Sequence, residues 1–247
     1  MKIIFSPSKS QIKNGTNSLL KTTSTLFPNK VRILKEKILT LSLDKIQSLF
    51  KLSPKKSLEL RENYKNQKTK KLPAIELFSG TSFKELKIED YSTHQLEYMG
   101  NNLRILSALY GVLCPSSLIS SYRLDMDNNI LKDTKYKNLY NFWLDEITEH
   151  FIDETIIINL ASKEYSKLIK WIDIKKIINI HFLVIKDGME KTVSVISKQQ
   201  RGKILNYIIK NEISRPEDIK KYSSDGFIFN PKRSDKNNYY FIQNANN

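Results

Sequence analysis

The chain has 247 residues, 40% hydrophobic and 10% aromatic, enough for one large domain or two small ones around a sizeable core. No apolar run approaches the ~20 residues of a membrane helix, and the opening Ile3-Ile4-Phe5 is too short for a signal peptide. One cysteine and three histidines exclude a disulfide framework and a Cys/His zinc pattern, so a reduced, cytoplasmic setting without a membrane partner is expected. The net charge of +15 permits a polyanionic partner. Lysine, asparagine and isoleucine are abundant together, however, as AT-rich codons produce, so part of that charge is a solvated surface habit.

Residues 1–6 read as a short buried strand ended by Pro7. Ser6, Ser8 and Lys9 follow it, and crevices in α/β sheets lie at that end of a strand, where such residues meet an anion or simply form a solvated loop. Residues 17–70 read as a lysine-rich helical layer broken at Pro28 and Pro54, with Val31, Leu34, Ile38 and Leu41 at helical spacing. Residues 64–71 read as an exposed loop or fraying end. Core returns with Ile75, Leu77 and Phe78 before a Ser79-Gly80-Thr81 turn, and residues 92–101 read as a helix.

Residues 101–126 organise the chain. Leu103, Ile105, Leu106, Leu109, Val112 and Leu113 belong in a core, yet Gly111 and Pro115 punctuate the run, so the backbone turns where it is buried. Arg104 and Arg123 flank the turn. With seven arginines against thirty-four lysines, each Arg is a choice, because its planar fork holds anions as Lys cannot. The two arginines either brace the turn by binding carboxylates or carbonyls, or face an anionic ligand. The helix and glycine turn over 92–120, with Tyr110 and Gly111 at the turn, also resemble a helix-hairpin-helix element whose backbone N–H groups meet DNA phosphates.

Asn138 opens an amphipathic helix through His150. Ile156 to Leu160 read as a buried strand in which the amide of Asn159 must be satisfied, followed by Ala161-Ser162 and a helix from Lys163. Residues 177–185 and 192–197 read as a hairpin across Asp187-Gly188. The next helix is expected to start near Lys198, which would place Lys198 and Arg201 in a first turn whose dipole opposes them unless an anion sits there. Residues 227–229 and 239–242 read as paired strands, Asp225 as a turn former or a base, and residues 243–247 as a loose tail.

Several of these segments carry a resemblance. Leu-Arg-Ile-Leu-Ser-Ala-Leu-Tyr-Gly-Val-Leu at 103–113, with Pro115 and Tyr122-Arg123-Leu124-Asp125-Met126, is similar to the signature of the bacterial YaaA family of peroxide-stress proteins. The family's Ser-Pro-x-Lys turn is matched at Ser6, Pro7 and Lys9. Its strand followed by glycine is matched at Phe78 and Gly80, and its Ile-Asn-Leu-Ala-Ser-x-Glu-Tyr segment at Ile158 to Tyr165. Its Lys-x-x-Arg-Gly is matched at Lys198, Arg201 and Gly202. Departures are Gln199-Gln200, where relatives often have Lys-Ala, and Cys114 and Ser117, where they often have Arg and Asp. The resemblance implies DNA binding, protection against oxidative damage and restraint of free iron.

The expectation is therefore an α/β (mixed α+β) fold: a central mixed sheet flanked by helices, in a single domain spanning residues 1–247. Ser6, Ser8, Lys9, Arg104, Tyr110, Gly111, Arg123, Asn159, Ser162, Lys198 and Arg201 are the candidate anion-binding residues. Two functions stay open. The cleft they form binds double-stranded or structured DNA by its backbone, without sequence preference, or it is an active site for a phosphorylated or carboxylated small molecule or nucleotide. No Ser/His/Asp spacing, carboxylate pair or metal set stands out. No cofactor or metal is expected, and a monomer is.

Overall fold

The computed structural model describes residues 1–12, 20–66, 70–170, 172, 176–186 and 188–244. Strand β1 (Lys2–Phe5) is followed by three helices, α1 (Pro28–Thr40), α2 (Leu43–Phe50) and α3 (Pro54–Lys65). Proline at the first helical position starts α1 and α3, and the Ser42 hydroxyl caps α2 by accepting from Lys45 N. This is the expected helical layer, reduced to residues 28–65 among those described. Lys30 ties α1 to the carbonyl of Phe142 and to Glu146, while Tyr64 on α3 donates to the carbonyl of Arg123 at 3.0 Å.

Next come β2 (Lys71–Pro73), the helical turns α4 (Ala74–Leu77) and α5 (Thr81–Lys84), and α6 (Thr93–Asn102). The strand expected before Gly80 is thus mostly the turn α4. A Ser92/Gln95 capping box starts α6. Then follow β3 (Leu103–Ser107), β4 (Gly111–Leu113), β5 (Leu118–Ser120), α7 (Leu139–Phe151) capped by Asn138, β6 (Ile156–Asn159) and α8 (Lys163–Ser166). The chain continues through β7 (Lys176–Lys186), β8 (Met189–Lys191), α9 (Ser194–Lys210), β9 (Ser223–Ser224), β10 (Phe227–Phe229) and β11 (Asn238–Asn244).

The large sheet has the order β4-β3-β1-β6-β7-β11-β10-β9, with β8 paired to β7; β2 and β5 form a separate antiparallel pair. Five neighbouring strands, β3, β1, β6, β7 and β11, run parallel. Counted along the chain, their spatial order is 2-1-3-4-5. The winding therefore reverses at β1, and the crevice beyond its carboxyl end is where open α/β sheets place ligands. Being central, β1 is buried on both faces, so Ile3, Ile4 and Phe5 are all in the core.

The helix-hairpin-helix expectation is corrected. Residues 103–113 are a β-hairpin, with Ile105 opposite Leu113 and Ser107 opposite Gly111. The apolar run of β3 reads equally as helix or strand because it too is buried on both faces, which erases the alternation of a half-exposed strand. Gly111 is required by its φ of +73° and by Trp143, whose ring carbons lie 2.8 Å from where a Cβ would stand. The Tyr110 N–H donates to Ser107 Oγ, so it is not presented to a phosphate.

Two further boundaries move. The hairpin after β7 closes with β8 at 189–191, so residues 192–197 are not its second arm, and Asp187 lies outside the described residues. Helix α9 starts at Ser194, ahead of Lys198, without a side-chain cap to mark it. The end of the chain is not loose through residue 244: Gln243 pairs with Phe227 and donates to the Asp225 carbonyl at 2.6 Å. Residues 245–247 lie outside the described residues.

Candidate functional site

At the carboxyl ends of β1 and β6 lies a cavity of about 270 Å³. Each wall comes from a different segment: residues 5–11 after β1, 80–83 around α5, 122–125, 160–165 after β6, and Lys198 with Arg201 from α9. The two strand ends are stitched together. Ser162 N donates to Ser6 Oγ at 2.8 Å, and Ser6 Oγ donates to Ser162 Oγ at 3.3 Å. Ser8 packs over Gly80, where a Cβ would stand 2.2 Å from its Oγ and 3.1 Å from its Cβ, so a larger residue there would push the Ser8 side chain aside. At Gly202 on α9 a Cβ would meet the Ser82 carbonyl at 2.2 Å. Glycine thus lets α9 approach α5 closely enough to bring Arg201 over the cavity.

Of the eleven candidate residues, seven line this cavity: Ser6, Ser8, Lys9, Arg123, Ser162, Lys198 and Arg201. Four do not. Arg104 lies on β3 and donates to the carbonyls of Gly100 and Leu103 at 2.9 and 2.8 Å and to His150 Nε2 at 3.3 Å. It braces the turn. Tyr110 packs edge-on against Tyr122 and hydrogen-bonds the backbone of Ser120 through its hydroxyl, and Gly111 sits under Trp143. Asn159 donates to Asn179 Oδ1 at 2.8 Å and accepts from Ala161 N at 3.0 Å. Its amide shapes the turn into Ser162.

Lys198 and Arg201 lie beyond the first turn of α9, so the helix dipole does not call for an anion between them. They reach the cavity through their side chains. The reason for an anion there is different. Arg201 Nε and Arg123 Nε are buried and find no hydrogen-bond partner among the described residues. Burial pushes Arg201 below the usual guanidinium range, since its charge is desolvated. A buried donor left open destabilises by about 1–3 kcal/mol, and an anion in the cavity that both residues line would give their guanidinium groups an acceptor.

Two acids in the cavity are absent from the candidate set. Asp125 pairs with Lys9 at 2.9 Å. Glu164 accepts from Met126 N at 2.9 Å, and its carboxyl is raised above the usual range by burial first and then by the charges of Asp125 and Asp127. Both acids sit in segments already quoted for the resemblance, one beside Arg123 and one beside Ser162. Cationic residue types alone do not point to them. Asp225, the acid singled out instead, is not in the cavity; it accepts from Gln200 and Lys203, each at 2.6 Å. Burial holds the Tyr122 and Tyr165 phenols well above their ordinary range, so they act as hydroxyl groups. Gln11 supports the Tyr122 backbone by accepting its N–H at 2.9 Å. Among the described residues no three His, Cys, Asp or Glu side chains are placed to hold a metal ion, and no helix is long and apolar enough to cross a membrane.

Fold and site together define an α/β protein with a cationic pocket at the reversal point of its parallel strands. The family model described as "Peroxide stress protein YaaA" matches residues 1–233. A UPF0246 protein of Fusobacterium nucleatum is 42% identical over 255 residues, covering 98% of this chain and 99% of its own. UPF0246 proteins of Finegoldia magna and Francisella tularensis subsp. mediasiatica are 39% and 36% identical, covering 98% and 96% of this chain and 98% of their own. The chain belongs to the YaaA family of peroxide stress proteins, and its role lies in peroxide stress.

Proposed function

We propose that the protein serves the peroxide stress response by binding DNA through its phosphates, without reading base sequence, and so shields DNA from oxidative damage and limits the harm done by free iron. One observation carries this reading. Arg123 and Arg201, from separate elements, converge on one cavity with buried Nε–H groups that have no partner among the described residues. The exposed Lys9 and Lys198 stand at the same cavity, and the chain's net charge of +15 supplies the long-range attraction. A phosphate contact made this way releases counterions, so binding weakens with salt by a log–log slope of about 0.9 per phosphate.

The test is a titration of labelled duplexes of unrelated sequence across a salt series. Similar affinities and a steep common slope are expected. Binding that ignores salt, or no binding at low salt, overturns the reading. A second reading, an active site for a small phosphorylated or carboxylated molecule, is favoured by Glu164, a carboxyl raised above the usual range by burial and lining the same cavity as Ser6 and Ser162.

A further inference from the structure

A cavity of this size holds one anionic group rather than a run of them. A duplex strand carries its charges about 3.4 Å apart along the axis, each flanked by another. This cavity, at about 270 Å³, lies near the lower end of small-molecule sites. Its walls are also mixed in sign: Asp125 and Glu164 stand among Lys9, Arg123, Lys198 and Arg201. Those carboxylates weaken the cavity's attraction for a run of phosphates. With both carboxylates ionised the surplus is two positive charges, and a phosphomonoester carries about −1.5 to −2 at pH 7, whereas each internal phosphodiester carries one negative charge.

We infer that the pocket takes a single terminal phosphate, a phosphomonoester borne by a nucleotide-sized group, in preference to an internal phosphodiester. Arg123 and Arg201 bind its oxygens through their open donors, and the Ser6–Ser162 pair marks the floor between the strand ends. Glu164 adds selectivity. In its protonated form it donates to a phosphate oxygen; ionised, it repels one. The hydroxyl groups and apolar side chains of the remaining wall, Ser8, Phe83 and Leu124 among them, accommodate the organic part. Two sources offer this chemistry: a free nucleotide, or the end of a nucleic-acid strand. This inference rests on reading the pocket as an anion site, but it does not need duplex backbone binding to hold.

The experiment uses the full chain with four probes: a nucleoside monophosphate, the matching nucleoside, an internally labelled oligonucleotide with and without its 5′-phosphate, and relaxed circular DNA as an end-free competitor. The expected result is that the monophosphate binds at least tenfold more tightly than the nucleoside by calorimetry. Arg201→Lys should abolish that difference, while Lys203→Ala, whose side chain is engaged with Asp225, should keep it. Preference for the 5′-phosphorylated oligonucleotide assigns the site to strand ends; monophosphate binding without such a preference assigns it to free nucleotides. Equal affinity for monophosphate and nucleoside, together with equal affinity for both oligonucleotides, overturns the inference. If circular DNA still binds in that case, backbone binding survives alone; if the monophosphate binds and circular DNA does not, backbone binding is what fails.

Discussion

The parallel strands have a structural end and an open end, and arginine is used differently at each. Near the amino end of β3, Arg104 is held by two carbonyls and the ring of His150, while Lys2 at the start of β1 pairs with Glu154 at 3.3 Å and donates to the Asn101 carbonyl. At the carboxyl end, Arg123 and Arg201 keep buried donors that nothing among the described residues accepts. The difference teaches that an arginine's role follows from how many acceptors its fold supplies. A fork whose acceptors the fold supplies is a brace, and one that lines a cavity with a donor left open is available to a ligand; Arg61, whose Nε is also open, lies away from the cavity and ties α3 to the Leu41 carbonyl.

Removing the arginines at each end should separate the two roles. Arg104→Ala leaves two carbonyls without their donor and is expected to lose about 1–3 kcal/mol, a fall of several degrees in melting temperature, with anion binding intact. Arg123→Ala should leave the melt unchanged or slightly higher, because it removes a cation from a cationic cavity, while anion binding drops about tenfold or more. A clear loss of stability with binding retained would make Arg123 a brace as well.

Acid should find the structural end first. Burial, with the charges of Arg104 and Lys2, pulls His150 down from 6.5 to about 4, against a smaller opposing pull from Glu154. Between those values the unfolded chain takes up a proton that the folded chain refuses, so stability falls as pH drops from about 6.5 to 4. Partial exposure limits this to about 1 kcal/mol. His181 is also lowered, so the informative quantity is the difference from His150→Gln. Urea midpoints of wild type and variant should diverge across that window, and parallel curves would remove His150 from the account.

The smallest effect belongs to the open end. The Glu164 carboxyl is raised in the fold, so its contribution is present at low pH and lost as pH rises through its folded range. Glu164→Gln keeps the acceptor for Met126 N. At pH 7 it should melt equal to wild type or a degree or two higher, with the gap closing in acid, and it should bind anions a few-fold more tightly. A lower melting temperature at pH 7, or weaker anion binding, would mean the carboxylate charge is itself required.

How much of this was legible depended on whether a signal was local. Ile3-Ile4-Phe5 ending at Ser6-Pro7, the Asn138 and Ser42 caps, and the amide of Asn159 are readable from neighbours alone, and each sits where its local chemistry demands. The β3–β4 hairpin was not readable as one, because a strand buried on both faces carries no alternation. The start of α9 was hidden because Val193 offers no capping side chain, which made Lys198 look like a first-turn residue. The pairing of Lys9 with Asp125, and the approach of Glu164 to the same cavity, join residues far apart in sequence. Such neighbours become visible only once the order of the strands is known.

The placement of β1 has a consequence for how the molecule comes into being. Its first apolar residues are completed on one side by Leu103 to Ile105 and on the other by Ile157 to Asn159. At roughly 5–20 residues per second, a nascent chain spends on the order of ten seconds or more between making Phe5 and making its second partner strand. Until β3 is made Ile3, Ile4 and Phe5 have neither partner, and until β6 is made both walls of the Ser6–Ser162 floor cannot exist. Closure is therefore late and sudden, as contacts between distant segments impose. A chain stalled before Ser162 holds no pocket at all.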